Sequence, residues 1–304
     1  MKESIKEFYE KISPFIQKIS RDNIFAIAGQ SAFFLLLSAV PFLMFMVSIL
    51  QNLHIPFEYV EFAFGRFFTG TVIDEIDLFL SDAYKNAMGI SIITIIVTLW
   101  SAAKGIHAVT NGMNRICGTY ENRNWLYLRI RAMLYTIVML AIIIATLLLI
   151  VLGSNIKSLL SPYFNNLPKI VENILNLRYI IVFAYSILLF ALVYRNLPNT
   201  SKEERKKYGF MYQLPGALFC AASWVLFSFG ISIYVAYFNG FSIYGSLTGI
   251  AVIMVWMYFC MVCLMLGAEI NYFYHDKIKA FFLKRRAKKQ RIKINSKEET
   301  TDKT

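Results

Sequence analysis

Residues Ile24–Leu50 read IFAIAGQSAFFLLLSAVPFLMFMVSIL, 27 positions without a charged side chain. A helix rises about 1.5 Å per residue, so about 20 apolar residues cross a hydrocarbon core of about 30 Å. A helix on the surface of a soluble domain would show a polar face. This run has no charged face and reads as a membrane span. Five further stretches meet or approach the same test: Gly89–Val109, Ala132–Leu152, Tyr179–Tyr194, Leu214–Phe238 and Leu247–Ala268. Tyr179–Tyr194 is short, but Arg178 and Arg195 at its ends can snorkel outward and lengthen it. Long continuous runs are not the short alternating strands of a membrane barrel. The expected fold is therefore all-α, a polytopic bundle of six transmembrane helices with short interfacial helices.

Composition agrees. The 304 residues are 57% hydrophobic and 16% charged, with a mean hydropathy of +0.53. Soluble domains carry about 45–50% apolar and about 25% charged residues. Four cysteines exclude a disulfide scaffold. The first apolar run is longer than a signal-peptide core and no small-residue cleavage site follows it, so it is expected to stay as a signal anchor.

Cation distribution sets the orientation. The segments 1–23, 104–131, 195–213 and the tail after Ala268 hold 26 Lys and Arg, against 5 in the intervening loops. By the positive-inside rule both termini face the cytoplasm, in a bacterial plasma membrane. The net charge of +12 is then mostly a topology signal, and no nucleic-acid partner is expected.

Three regions follow: a cytoplasmic amphipathic helix (1–23), the transmembrane domain (24–271) and a basic cytoplasmic tail (272–304) whose end is expected to be disordered. In the first, Ile5, Phe8, Ile12, Phe15 and Ile19 recur at helical spacing between lysines. It can lie on the inner leaflet or pack against the protein's own loops. The tail residues Lys284, Arg285, Arg286, Lys288 and Lys289 are candidates for binding anionic lipid headgroups. The outer segments 51–88 and 156–177 alternate apolar and acidic or proline positions and are expected to form short interfacial helices.

Polar groups inside spans are costly and ask for a partner or a pathway. Ser31, Ser38 and Pro41 share one face of the first span beside Gln30, as a path lining or a helix contact. Lys104, His107, Asn111 and Asn114 run along one face of the second. Arg195 and Glu269 leave their spans on the same side, so Lys104 or Arg195 can partner Glu269, as a functional pair or, the preferred reading, as a charge-neutralising contact at helix ends. Gly245 and Gly249 give the last span a close-packing start, beside Tyr244. Cys260 and Cys263 form a C-x-x-C inside that span, read as packing. No Walker loop, dinucleotide fingerprint or G-x-S-x-G occurs, and the cytoplasmic acids Glu121, Glu203, Glu204, Glu269 and Asp276 are too scattered to suggest the two-metal chemistry of a nuclease. No catalytic residue, metal or cofactor is expected. The partners expected are the bilayer and its anionic inner-leaflet lipids.

Several of these residues carry a resemblance. Ala32-Phe33-Phe34-Leu35-Leu36-Leu37-Ser38-Ala39-Val40-Pro41 resembles the opening motif of the YihY/BrkB family of bacterial inner-membrane proteins. Asn111–Asn114 is similar to its next landmark. Leu197-Pro198-Asn199, Leu214-Pro215-Gly216-Ala217 and Trp224 resemble its fourth-to-fifth span region. Tyr244-Gly245-Ser246-Leu247, Trp256, Tyr258 and Leu266-Gly267-Ala268-Glu269 resemble its most specific motif. The likeness covers about residues 20–272. One departure is Phe33-Phe34, where the family often has a tyrosine, so a role for that hydroxyl does not carry over. The resemblance implies a membrane protein of unsettled molecular activity, with transport of a lipid or small solute often supposed. Members long bore the label ribonuclease BN, generally regarded as a mis-assignment, and the BrkB name attaches some of them to resistance to serum killing.

Overall fold

The computed structural model describes residues 2–52, 57–58, 81–82, 92–139, 141–142, 177–201, 203, 209–237 and 246–281. Among these residues the regular structure is helical throughout. Helix α1 is Lys2–Arg21, α2 Ile24–Asn52 and α3 Ile92–Ile116. Residues 125–139 form α4. Arg178–Asn196 is α5, Phe210–Tyr237 is α6 and Ser246–Phe273 is α7. Residues 57–58 and 81–82 are helical, but most of the outer segments expected to be interfacial lies outside the described residues.

Local chemistry sets the helix ends. Between α1 and α2 the chain bends by 47°. Asn23 takes a left-handed conformation there (φ 53°), which Asn tolerates better than most residues. Helix α3 closes at Gly118 (φ 63°). The Gly118 amide donates to Arg115 O and the Thr119 amide to Asn114 O, the paired bonds of a Schellman motif. Asn124 caps α4, its Oδ1 accepting from the Leu126 amide at 2.9 Å. Helix α5 ends at Asn196; Leu197 keeps a helical backbone with its amide on Val193 O, and Pro198 has no amide hydrogen to carry the ladder further.

The helices pack in the order α3, α2, α7, α6, α5, with α7 also reaching α3 and the end of α1. One apolar core joins the start of α2 (Ile24, Ile27, Ala28), the end of α3 (Met113, Ile116), the end of α5 (Phe190, Ala191, Tyr194), the start of α6 (Ala217, Cys220) and the end of α7 (Met261, Met265). Starts and ends alternate within one layer, so successive helices in that row run in opposite directions.

The outward surface of the described residues carries many large apolar side chains. Leu226 is 71% exposed, and Phe229 and Ile180 are each 65% exposed. Many large apolar side chains turned outward would be a liability in water and are ordinary in lipid. Phe210–Ile231 and Ala251–Phe273 are long and apolar enough to cross a membrane, and the bent pair Ile12–Arg21 with Ile24–Ala39 counts as a third span if taken as one. Ile180–Asn196 is apolar but shorter.

Candidate functional site

The charged and hydrogen-bonded groups gather where the helix ends meet. Glu269, near the end of α7, is fully buried (0% exposed). Its Oε1 lies 2.5 Å from Lys18 Nζ, near the end of α1. Neither carboxylate oxygen receives a further hydrogen bond from the described residues. Lys18 is shared more widely. It donates to Asp22 Oδ2 at 2.5 Å, reaches Ile116 O at 3.5 Å and sits 5.0 Å from the centre of the Tyr272 ring. Phe15, one turn earlier, packs on Phe273 and Tyr274. The second half of α1 is thus fastened to α7 by one apolar and one ionic contact.

This corrects the expected pairing. The cation beside Glu269 is Lys18, while Lys104 and Arg195 are both exposed. A side chain just outside the first span folds back under the bundle and arrives before either of them. The signal was present: Lys18 lies one helical turn from Phe15 and next to Ile19, on the edge of the apolar face of α1.

A second junction joins α6 to α7. Pro215 has no amide hydrogen and so interrupts the α6 ladder. The carboxamide of Asn271 fits into the interruption, its Oδ1 accepting from the Gly216 amide at 2.8 Å and its Nδ2 donating to Gln213 O at 3.0 Å. Gly216 and Gly267 allow the approach. A Cβ on Gly216 would run into the backbone oxygen of Gly267, and one on Gly267 would meet the Tyr194 hydroxyl. That hydroxyl donates to Leu264 O at 2.9 Å. Asn271 was not foreseen, since nothing in a single strand of sequence shows that a carboxamide will face a proline break in another helix.

The third junction ties the loop after α3 to the end of α5. Asn114, buried on α3, accepts the Asn199 amide on Oδ1 at 2.6 Å and donates to Glu121 Oε2 at 2.8 Å. Asn199 Nδ2 donates to Tyr120 O and to Asn122 Oδ1. Glu121 also takes Arg123 Nε at 2.7 Å and Arg123 Nη2 at 2.5 Å. Burial pushes the Glu121 carboxyl up, but the hydrogen bonds from Arg123 and Asn114 outweigh it and hold the group below the usual carboxylate range. Arg131 of α4 donates to Asn196 O, closing the same knot.

Between the last two junctions lies a small cleft of ≈ 30 Å³, lined among others by Arg195, Gln213 and Asn271. It holds about two waters, far less than a solute or an acyl chain.

The remaining candidates divide. Ser31 and Ser38 are buried, and Ser38 Oγ donates to Leu35 O at 2.9 Å. Any Cβ on Gly105 of α3 would press on Leu35 and Ser38, so this face of α2 is in close contact with α3. Pro41 is half-buried within the continuous α2, while Gln30 and Asn111 are exposed. Cys220 and Cys260 are buried free thiols, and Cys260 O accepts from Trp224 Nε1 at 2.8 Å. Among the described residues, no three His, Cys, Asp or Glu side chains gather as a metal site. Tyr244, Gly245 and the lipid-binding candidates Lys284, Arg285, Arg286, Lys288 and Lys289 lie outside the described residues.

Relatives agree with this picture of a membrane protein. A ribonuclease-like protein of Bacillus subtilis, YfkH, is 29% identical over 254 residues, covering 83% of this chain and 90% of the relative. A UPF0761 membrane protein of Alteromonas mediterranea is 26% identical over 287 residues, covering 88% and 92%. Another, from Tolumonas auensis, is 27% identical over 274 residues, covering 84% and 82%. No solved structure gives a significant match. The family model described as virulence factor BrkB matches residues 15–292. With apolar helices, a polar layer where their ends meet and that match over most of its length, the chain belongs to the BrkB family of membrane proteins.

Proposed function

We propose that this protein is a six-span protein of the bacterial plasma membrane, with cytoplasmic termini and a transporter-like or lipid-handling role. The observation that carries this reading is the buried Lys18–Glu269 pair. An ionised pair taken out of water gives little net stability, because desolvation offsets the attraction. Buried charges at the ends of spans mark ion or substrate pathways more often than they add stability. Here the pair joins a helix outside the first span to the helix that packs against most of the others. The cleft beside Arg195, Gln213 and Asn271 is narrow, so the described arrangement is read as a closed inner end.

The test is flux. Proteoliposomes should move a lipid or small solute faster than empty vesicles, and Glu269→Gln should stop that flux while the protein remains folded. A broad cargo panel with no flux above empty vesicles removes the transport reading. A second reading, an envelope-organising protein without cargo, is supported by the close packing of the Ser31 and Ser38 face against α3. A membrane-tethered ribonuclease would follow the name of the Bacillus relative. Cleavage of tRNA precursors by the purified chain, lost on carboxylate substitution, would establish it.

A further inference from the structure

Among the described residues, the face of α3 carrying Trp100, Lys104 and His107 takes no part in the hydrogen bonds and ion pairs of the three junctions. These positions follow at helical spacing, on one side of the helix. Trp125 of α4 stacks edge-on against Trp100 with ring centres 5.5 Å apart. The guanidinium of Arg129, one turn further along α4, lies 4.7 Å from the centre of the Trp100 ring. Arg129 Nε is buried with no hydrogen-bond acceptor. Lys104 is exposed, and Trp125 is 64% exposed. Among the described residues neither Lys104 nor Arg129 has an ion-pair partner; the nearby carboxylate, Glu121, is held by Arg123. The surrounding outward surface is apolar, with Leu126, Ile130 and Leu134 each at least half exposed.

We propose that Trp100, Lys104, Trp125 and Arg129 form a binding site for the headgroup phosphate of an anionic phospholipid. Two cations on an apolar outward surface need an anion that is itself anchored in apolar surroundings. Trp125, at the start of α4 beside the cation-rich loop, stands where indole rings settle at the headgroup level of a bilayer. Arginine suits the task because its planar fork matches two phosphate oxygens and its face can rest on an indole. A charged N–H without an acceptor is costly, and a turn of the guanidinium off Trp100 toward a phosphate removes that cost. The site depends only on the membrane location, and it stands whether or not the protein transports anything.

Fluorescence quenching reads the site directly. Trp100 and Trp125 are two of four tryptophans, so Trp224→Phe with Trp256→Phe leaves them as the reporters. In nanodiscs, brominated phosphatidylglycerol should quench them more than brominated phosphatidylcholine at equal mole fraction. Arg129→Gln and Lys104→Gln should each remove most of that excess, and millimolar inorganic phosphate should leave it in place. Equal quenching by the two lipids, or an excess that survives both substitutions, overturns the proposal. An excess abolished by inorganic phosphate also overturns it and assigns the site to the free anion. If the tryptophan substitutions prevent folding, native mass spectrometry of the otherwise unaltered chain decides. Arg129→Gln should weaken phosphatidylglycerol retention roughly tenfold, the value of one charge-assisted hydrogen bond. Unchanged retention refutes the site.

Discussion

Lys18 and Glu269 are not equivalent partners. Glu269 is fully buried and relies on Lys18, whereas Lys18 keeps Asp22 if the glutamate is neutralised. Lys18→Met therefore leaves a buried carboxylate uncompensated and should cost about 3–5 kcal/mol of stability. Glu269→Gln should cost clearly less, and Lys18→Met combined with Glu269→Leu should recover most of the loss. Thermal unfolding in detergent across the three variants measures this, and equal losses from the two single changes would refute the asymmetry. Glycine gives a sharper contrast. Gly216→Ala forces a methyl onto the backbone oxygen of Gly267, which cannot swing aside as a side chain could. Overpacking of this kind costs about 1–3 kcal/mol. Gly230→Ala, where a Cβ meets nothing within 4 Å, should leave the unfolding temperature nearly unchanged.

At the level of elements, the loop after α3 is held to α5 by a knot whose charge is titratable. Hydrogen bonds from Arg123 and Asn114 depress the Glu121 carboxyl below its ordinary value of 4.5. The folded state binds this proton less readily than the unfolded state does. The stabilisation is therefore complete above the ordinary value and fades as pH falls through the depressed one. The protection of residues 117–124 against hydrogen exchange, taken relative to the intrinsic amide rate at each pH, should fall on acidification through that window. Glu121→Gln should remove the pH dependence, and Asn114→Ala should raise exchange at every pH because Asn199 loses its acceptor. Unaltered pH dependence in Glu121→Gln would show that another group governs the loop. Among the described residues the contacts that fasten α1 to α7 come from its second half, so deleting residues 2–11 should preserve the Phe15 and Lys18 contacts and most of the stability. Extending the deletion through Arg21 should uncover Glu269 and destabilise the bundle sharply, as thermal unfolding would show.

Among the described residues the molecule combines an apolar exterior and an apolar core with a polar layer where helix ends meet. The starts of α2 and α6 and the ends of α3, α5 and α7 meet in that layer, and segments that sequence counting marked as cation-rich join them there. The proposed orientation, with the cell interior facing this layer, puts both termini on that side. Ser4→Cys and Thr301→Cys, each introduced after the four native cysteines are replaced, should react with an impermeant maleimide only in opened cells. Labelling of either site in intact cells would reverse the orientation or change the number of crossings.

The membrane character of this chain was legible in its one-dimensional sequence, because hydropathy is a local property and a run such as Ile24–Leu50 has no soluble helical reading. The left-handed backbone at Asn23 and Gly118 is also a local matter, set by one residue's conformational preference. Family membership was visible in short motifs that tertiary structure now explains, since Leu214-Pro215-Gly216-Ala217 and Leu266-Gly267-Ala268-Glu269 are two halves of one contact. Pairing was not legible. Polar side chains near span ends have several candidate partners of suitable charge, and only the packing of α1 beneath α7 selects Lys18 over Lys104 and Arg195 for Glu269. The same holds for Asn271 at the Pro215 break and Asn199 on Asn114. Electrostatic and hydrogen-bond partners are settled by distances of a few ångströms between residues remote in sequence, and those distances exist only once the helices have packed.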